Sequence, residues 1–138
     1  EQINRENVQK IFKCLSSIKK KYTNFNVLIL GVSYKKNIDD IRESSSIKLM
    51  QNLKDKNLNF EFCDPFVEKL SKDMPEINFN KKSLNVNQID YKRFQVTILM
   101  TDHDKFKYKE ISKKSGLIID TRYRFMKMNI INKNIINL

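Results

Sequence analysis

The sequence predicts an α/β fold in which an open, mostly parallel sheet is flanked by helices. Short apolar runs such as VLILG (27–31), VTILM (96–100) and LIID (117–120) are typical of parallel strands buried on both faces. Segments with helical spacing of apolar residues lie between these runs, and a polar loop follows each of them. Strands that alternate with amphipathic helices favour right-handed crossovers, so the strands should lie side by side and parallel.

The first element is a helix over residues 3–21 that precedes the sheet. Its apolar residues recur at helical spacing and form one stripe that must be buried against a neighbour. They are Ile3, Val8, Ile11, Phe12, Leu15 and Ile18. After the strand at 27–31, a second helix is expected over 44–56, because Ser44–Ser46 offer hydroxyl caps ahead of a buried face.

The rest of the chain continues the alternation less regularly. LNFEFC (58–63) predicts a strand that ends at Asp64-Pro65, and a short helix is expected around Phe66–Lys72. Residues 77–92 suggest a small strand and a helical turn. A helix near Tyr108–Lys114, ended by Gly116, separates the last two strands. We assign no element to residues 125–138.

Composition and charge limit the possible functions. The chain has 27 Lys plus Arg against 16 Asp plus Glu, a formal net charge of +11. Only five of these cations are arginines and the lysines are scattered, which favours a solvated surface. A basic nucleic-acid-binding module remains the alternative, and steeply salt-dependent binding to duplex DNA would support it. A phosphoacceptor signalling domain is disfavoured, because Gly31-Val32-Ser33 offers no acidic cluster.

Location follows from what the sequence lacks. It has no run of about 18 apolar residues that could span a membrane. Two cysteines cannot build a disulfide framework, and no basic, apolar leader typical of a signal peptide is visible in the sequence. We therefore expect a cytoplasmic protein without a membrane partner.

Polar segments follow four predicted strands, at residues 34–42, 64–65, 101–104 and 120–122. Because carboxyl ends of parallel strands share one edge of a sheet, these segments should form one site. The chain has only two glycines, so it has no glycine-rich phosphate loop. An anion would instead meet Lys35, Lys36 and Arg42, with the helix start at 44–46. Alternatively, Asp39, Asp40 and Arg42 only pair on the surface.

Three further residues at these ends need an interpretation. His103 is the only histidine, so a structural role is favoured over a metal site, and the flanking Asp102 and Asp104 could orient its ring. Cys63, at a strand end, is expected to be a buried small apolar residue. Arg122, in Asp120-Thr121-Arg122, could bind an anionic ligand or pair with an acid.

Four blocks in this order resemble a known family. LGVSYKKNIDDIRESSSIKLMQNL, CDP, VTILMTDHDKF and LIIDTR resemble the C-terminal, Rossmann-like domain of the UDP-glucose/GDP-mannose dehydrogenases, across about residues 1–124. FKYKEI and IIDTR are most similar to the branch acting on UDP-N-acetylglucosamine or UDP-N-acetylmannosamine. Ile3-Asn4 resembles the end of the helix that links the two halves of these enzymes.

The resemblance implies a function and residue roles. Such enzymes use NAD to oxidise the C6 alcohol of a UDP-sugar to a carboxylate in two steps, through a catalytic cysteine, and supply surface-polysaccharide precursors. Tyr34, Lys35 and Arg122 would contact the UDP-sugar, and Arg42 would face NAD. Asp40 would hold Arg42, while Asp102, His103 and Asp120 would support the site.

Departures from the family pattern imply a division of the chain and an incomplete enzyme. Ser44–Ser46 stand where Ser-Pro-Ala is usual, and Lys36 stands where proline is frequent. Neither cysteine matches the catalytic one, so we expect a fragment that is inactive alone and has no catalytic residue or metal site. Residues 1–22 would end the linking helix, 23–124 would bind UDP-sugar and 125–138 would be a tail. Its partners would be the rest of an enzyme that is a homodimer or larger.

Overall fold

The computed structural model describes the backbone of residues 5–138 and the side chains of residues 7–138. Its elements in chain order are α1 (Arg5–Lys19), β1 (Asn26–Leu30), α2 (Ser45–Asp55), β2 (Asn59–Cys63), β3 (Lys69–Leu70), β4 (Lys81–Lys82), a 3-10 turn (Tyr91–Arg93), β5 (Val96–Leu99), α3 (Tyr108–Lys114), β6 (Leu117–Asp120), α4 (Arg124–Lys127) and β7 (Ile135–Asn137). The predicted Ile3-Asn4 helix end lies outside the described residues.

Five strands form the main sheet in the order β2-β1-β5-β6-β7, and every neighbouring pair is parallel. The predicted α/β class is therefore confirmed. The order of the strands reverses between β1 and β5, since β1 leads to β2 on one side and β5 leads to β6 on the other. In such sheets ligands bind at the carboxyl ends of the strands beside this reversal.

Apolar residues cover both faces of the sheet. On one face, Val27 and Ile29 of β1 pack with α1 and α2, which contribute Leu15 and Leu53. On the other face, Leu28 and Leu30 of β1 pack with α3 and α4 in a second cluster. This two-sided burial explains why β1 is an uninterrupted apolar run rather than an alternating one.

The helix predicted around Phe66–Lys72 is wrong. The Phe66 N–H donates to Asp64 Oδ1 (2.8 Å), which closes a turn instead of starting a helix. Lys69 and Leu70 then pair antiparallel with Lys82 and Lys81 as strands β3 and β4. That pairing depends on a partner more than ten residues away, so a local apolar pattern does not reveal it. The strand and helical turn expected within 77–92 are confirmed as β4 and the 3-10 turn.

Residues 125–138, for which the sequence pattern predicts no element, contain the fifth strand of the sheet. After α4 the chain returns, and β7 pairs parallel with β6, with Ile135 opposite Ile118. The Ile118 N–H donates to the Asn134 carbonyl (2.7 Å), and the Leu138 N–H donates to the Asp120 carbonyl (3.0 Å). The fifth strand thus belongs to the sheet that carries the site. Among the described residues, no helix is both long and apolar enough to cross a bilayer.

Candidate functional site

The segments that follow β1, β2, β5 and β6 share one edge, because these strands are parallel neighbours. Gly31 begins the first segment with φ +88°, in the left-handed region, and its backbone runs against Thr101. The Thr101 hydroxyl donates to the Ser33 carbonyl (2.7 Å) and ties the segment after β5 to the one after β1.

The loop after β1 carries two predicted ligand contacts, Tyr34 and Lys35. The Tyr34 N–H donates to the Asp40 carbonyl (2.7 Å), which closes the loop on itself. The Ser33 hydroxyl donates to the Lys35 carbonyl (2.7 Å). Tyr34 is half-buried, whereas Lys35 and Lys36 are exposed. The loop therefore presents its ammonium groups to solvent from a hydrogen-bonded base.

Arg42 is oriented by Asp40 at the end of the same loop. Its Nη2 lies 2.8 Å from Asp40 Oδ2 and its Nε lies 3.0 Å from Oδ1, while 87% of the Arg42 side chain is exposed. Hydrogen bonding to Arg42 lowers the pKa of Asp40 to about 2. The pair leaves most of the guanidinium facing solvent, where it can meet an anion.

His103 is fully buried at the centre of this edge. The Asn37 N–H donates to its Nδ1 (2.7 Å), and its Nε2 lies 2.9 Å from Asp64 Oδ2. The flanking carboxylates Asp102 and Asp104 do not orient the ring, contrary to the expectation from sequence. Asp64 reaches it because β2 and β5 flank β1, so that residues after those two strands meet over the end of β1.

Arg124 forms ion pairs with both carboxylates that flank His103 in the sequence. Its Nη1 lies 3.2 Å from Asp102 Oδ2 and its Nη2 lies 2.8 Å from Asp104 Oδ1. Its guanidinium also lies 4.7 Å from the centre of the Tyr108 ring. Hydrogen bonds from Asn37 and Arg124 lower the pKa of Asp104. The segments after β5 and β6 are thereby fixed to each other.

Arg122 and Asp120 lie at the end of β6. Arg122 Nε donates to the Met100 carbonyl (2.9 Å), so its side chain lies across the end of β5. Asp120 is fully buried and accepts the N–H groups of Arg122 (2.9 Å) and Phe125 (3.0 Å). Burial raises the pKa of Asp120. Asp120 thus shapes the turn that carries Arg122.

The segments at this edge carry cations together with the carboxylates of Asp39, Asp40, Asp64, Asp102, Asp104 and Asp120. The cations include Lys35, Lys36, Arg42 and Arg122, and cations of this kind bind phosphates. No cluster of three or more His, Cys, Asp or Glu side chains in the described part of the chain could hold a metal ion. Cys63 is buried as expected, and burial raises the pKa of its thiol to about 12, which leaves it unreactive.

Sequence reasoning placed Asn37 and Asp64 within the segments of this site but gave neither a role, and it did not identify Arg124. Asp64 was predicted to follow a strand at this edge, but its partner His103 lies 39 residues away in the sequence. The signal that links them is topological, since both follow strands that flank β1. Arg124 lies outside the Asp-Thr-Arg block, and no spacing rule connects it to Asp102.

A comparison with protein-family models decides the family. The model of the "UDP-glucose/GDP-mannose dehydrogenase family, UDP binding domain" matches residues 28–127, which span the sheet from β1 to α4. The chain belongs to this dehydrogenase family. The resemblance found in its sequence blocks is thereby confirmed, and the chain corresponds to the UDP-binding domain of the family.

Curated members of the family share moderate sequence identity with the chain. It is 32% identical over 117 residues to a UDP-N-acetyl-D-mannosamine dehydrogenase of Methanococcus vannielii, covering 79% of this chain and 24% of that protein. It is 30% identical over 97 residues to an NDP-N-acetyl-D-galactosaminuronic acid dehydrogenase of Ralstonia nicotianae, covering 70% and 22%. The chain thus spans about a quarter of the length of these dehydrogenases.

Solved structures of dehydrogenases share the fold. A UDP-N-acetyl-mannosamine dehydrogenase from S. aureus aligns with a TM-score of 0.63 at 20% identity, over 96% of this chain and 29% of that one. A GDP-mannose dehydrogenase from Pseudomonas aeruginosa aligns with a TM-score of 0.64 at 22% identity, over 85% and 28%. Similarity at this level of identity supports the α/β architecture.

Proposed function

We propose that this chain is the UDP-sugar-binding part of an NAD-dependent nucleotide-sugar 6-dehydrogenase. The enzyme would oxidise the C6 alcohol of a UDP-N-acetylhexosamine or UDP-glucose to a carboxylate, for surface-polysaccharide precursors. The observation that carries the proposal is the family match over residues 28–127, the segment that includes Lys35, Arg42 and Arg122. A diphosphate carries the opposite charge to the exposed Lys35 ammonium and the Arg122 guanidinium.

In this proposal, three side chains bind the sugar nucleotide. Lys35 is exposed on a closed loop, and its ammonium would meet the diphosphate. Arg122 would approach the same ligand from the end of β6, and the half-buried Tyr34 would contact the sugar. Asp40, Asp102, His103 and Asp120 would support these contacts, since each is tied by hydrogen bonds to the segments that carry them.

NAD is the cofactor of the proposed reaction, and this chain would contact only a small part of the NAD molecule. The sequence contains no glycine-rich turn that could hold the pyrophosphate. Arg42 is the residue that would reach the cofactor, because its guanidinium is exposed and oriented by Asp40. The cofactor would accept hydride, and the loop that binds it and the catalytic cysteine would belong to the rest of the enzyme. The chain alone would not turn over substrate.

The partners follow from the same proposal. They are the UDP-sugar and the remainder of the dehydrogenase, with α1 as the end of the linking helix and the whole enzyme a homodimer or larger. The enzyme would work in the cytoplasm, where nucleotide sugars are available.

Titration with UDP, followed by amide chemical shifts of the 15N-labelled chain, tests the proposal. We expect shifts confined to residues 33–42 and 120–124. Lys35→Ala should weaken binding about tenfold, as expected for one lost charge-assisted contact. Arg42→Ala should weaken UDP binding less than Lys35→Ala does, because Arg42 is assigned to the cofactor.

Lys113→Ala is the matched control. Lys113 is also an exposed lysine, but it lies in the last turn of α3, at the end of that helix away from the strand carboxyl ends. Shifts scattered over the surface, or equal losses for Lys35→Ala and Lys113→Ala, would contradict the proposal. Such a result would indicate attraction by net charge alone.

A further inference from the structure

A buried polar cluster lies beneath the loop that carries Lys35. It consists of Ser33, Asp64 and His103, whose exposed fractions are 2%, 3% and 0%. Buried polar groups are costly unless they are hydrogen-bonded, and each member of this cluster has partners. The cluster joins the ends of β1, β2 and β5.

The hydrogen bonds define one tautomer of His103. The Asn37 N–H can only donate, so Nδ1 accepts this bond (2.7 Å) and carries no proton. The proton of the neutral ring is therefore on Nε2, which donates to Asp64 Oδ2 (2.9 Å). The Ser33 hydroxyl uses its hydrogen on the Lys35 carbonyl, so its oxygen, 3.2 Å away, also faces the Nε2 proton as an acceptor.

Asp64 accepts from four donors. Its Oδ2 takes the N–H groups of Val32 (2.8 Å) and Ser33 (3.3 Å) in addition to His103, and its Oδ1 takes the Phe66 N–H (2.8 Å). A carboxylate can accept on both oxygens, whereas an amide in either orientation would face one of these donors with a donor. Asp64 therefore keeps the Nε2–H tautomer in place, and that tautomer keeps Nδ1 free to accept.

Asn37 connects the His103 ring to the loop that carries Lys35. Asn37 has φ +64° and receives support on both sides, from His103 Nδ1 and from Asp104, which its side-chain amide contacts at 2.7 Å. Lys35 is two residues earlier, and its carbonyl is bound to Ser33. The loop thus has its polar backbone groups fixed from below while the Lys35 ammonium stays exposed.

We propose that His103 is a positioning residue for the anion-binding loop, holding Lys35 in place through the acceptor Nδ1 and the Asn37 N–H. The proposal rests on the proposed function, because Lys35 is the residue whose contact with the diphosphate it serves. Asp64 acts one step further away, by holding the ring in the tautomer that can accept.

Two substitutions of His103 test the roles of its two ring nitrogens separately. His103→Asn leaves an amide oxygen close to the position of Nδ1, so it can still accept from Asn37 but no longer reaches Asp64. His103→Gln leaves an amide N–H close to the position of Nε2, so it can still donate to Asp64 but offers Asn37 no acceptor. Both variants lose the volume of the imidazole ring beside Phe66 and Phe106, so both lose packing contacts there.

The experiment measures UDP affinity of the two variants by titration of the 138-residue chain, with unfolding in urea as a separate readout. We expect His103→Gln to weaken UDP binding about tenfold and His103→Asn to keep it within about threefold. A merely structural histidine would lower stability in both variants and leave the two affinities equal. Equal affinities, or weaker binding by His103→Asn, would overturn the proposal.

If a variant does not fold, two further measurements still test the proposal. In the unsubstituted chain, long-range 1H–15N spectra of His103 should show the Nε2–H tautomer, and the opposite tautomer would overturn the proposal. Hydrogen exchange at the Asn37 amide should be protected, and rapid exchange would likewise refute the hold on the loop.

The UDP titrations also distinguish failure of the positioning role from failure of the proposed function. If UDP shifts no resonance in residues 33–42 or 120–124 of the unsubstituted chain, the proposed function fails. The positioning role for a UDP contact then fails with it, whatever the tautomer. If UDP binds there and His103→Gln binds as well as the unsubstituted chain, only the positioning role fails.

Discussion

A Cβ atom built on Gly31 would lie 2.5 Å from the Cβ of Thr101 and 2.7 Å from its backbone nitrogen. The ends of β1 and β5 are therefore in backbone contact, with no room for a side chain between them. This contact brings the loop after β1 against the segment that holds His103.

Gly31→Ala is expected to destabilise the chain by roughly 2–5 kcal/mol, because an alanine would combine the strain of φ +88° with a backbone clash. Urea unfolding followed by circular dichroism measures the change. Gly116→Ala is the control, since its Cβ would lie 3.3 Å from the Gln95 carbonyl without positive φ. Its cost should stay below about 1 kcal/mol. Equal costs for the two variants would show that the contact with Thr101 is not restrictive.

Asp120 is expected to make the free energy of unfolding fall as pH rises. Burial raises its folded pKa above the ordinary value of 3.8, so the native state keeps a proton that the unfolded chain releases. Its contribution is therefore fully present below pH 3.8 and declines as pH rises through the folded pKa. Asp120→Asn removes this trend. Urea unfolding from about pH 3 to pH 7 should show the stability difference, native minus variant, decreasing with pH. A constant or increasing difference would contradict the burial argument.

The two cysteines are expected to differ in reactivity. Cys63 is fully buried and its pKa is raised to about 12, so an alkylating reagent near pH 8 should not modify it in the folded chain. Cys14 is half-buried on α1 and should react first. Peptide mass spectrometry after timed labelling distinguishes them, and labelling in urea serves as the control in which both react. Early modification of Cys63 would contradict its full burial at the end of β2.

Arg124→Lys is expected to destabilise the chain by about 1–2 kcal/mol although it keeps the charge. A lysine ammonium cannot bind Asp102 and Asp104 together while also lying over the Tyr108 ring, as the guanidinium does. Thermal unfolding measures the difference. Lys114→Ala, which breaks an exposed pair with Glu110 one turn away, should leave the midpoint almost unchanged. A similar small change for Arg124→Lys would mean that only its charge matters.

Most of the fold could be predicted because its strands are defined locally. β1, β5 and β6 are apolar on both faces, so composition alone identifies them. β7 was not predicted because residues 129–137 read NIINKNIIN, in which pairs of isoleucines lie between polar residues and show no strand alternation. The strand also lies at the edge of the sheet, where one side needs no partner. The β3–β4 pair escaped for a different reason. Each strand has two residues and exists only through the other.

The site was partly predictable for the same physical reason. Lys35, Arg42 and Arg122 follow apolar runs, and the rule that such ends share an edge brought them together. The contacts that hold them were not predictable, because Asp64 and His103 meet only when strand order is known. Asp102 and Asp104 are adjacent to His103 in sequence, yet their side chains bind Arg124.

The all-parallel pairing of the main sheet has a consequence for folding kinetics. No two neighbouring strands of that sheet can be joined by a tight turn, so each pairing must wait for a helix-containing connection to be spanned. Pairing of this kind postpones its free-energy gain until long loops have closed, which places refolding nearer to milliseconds or seconds than to microseconds. The small antiparallel β3–β4 pair closes over a shorter segment than these crossovers and can form ahead of them.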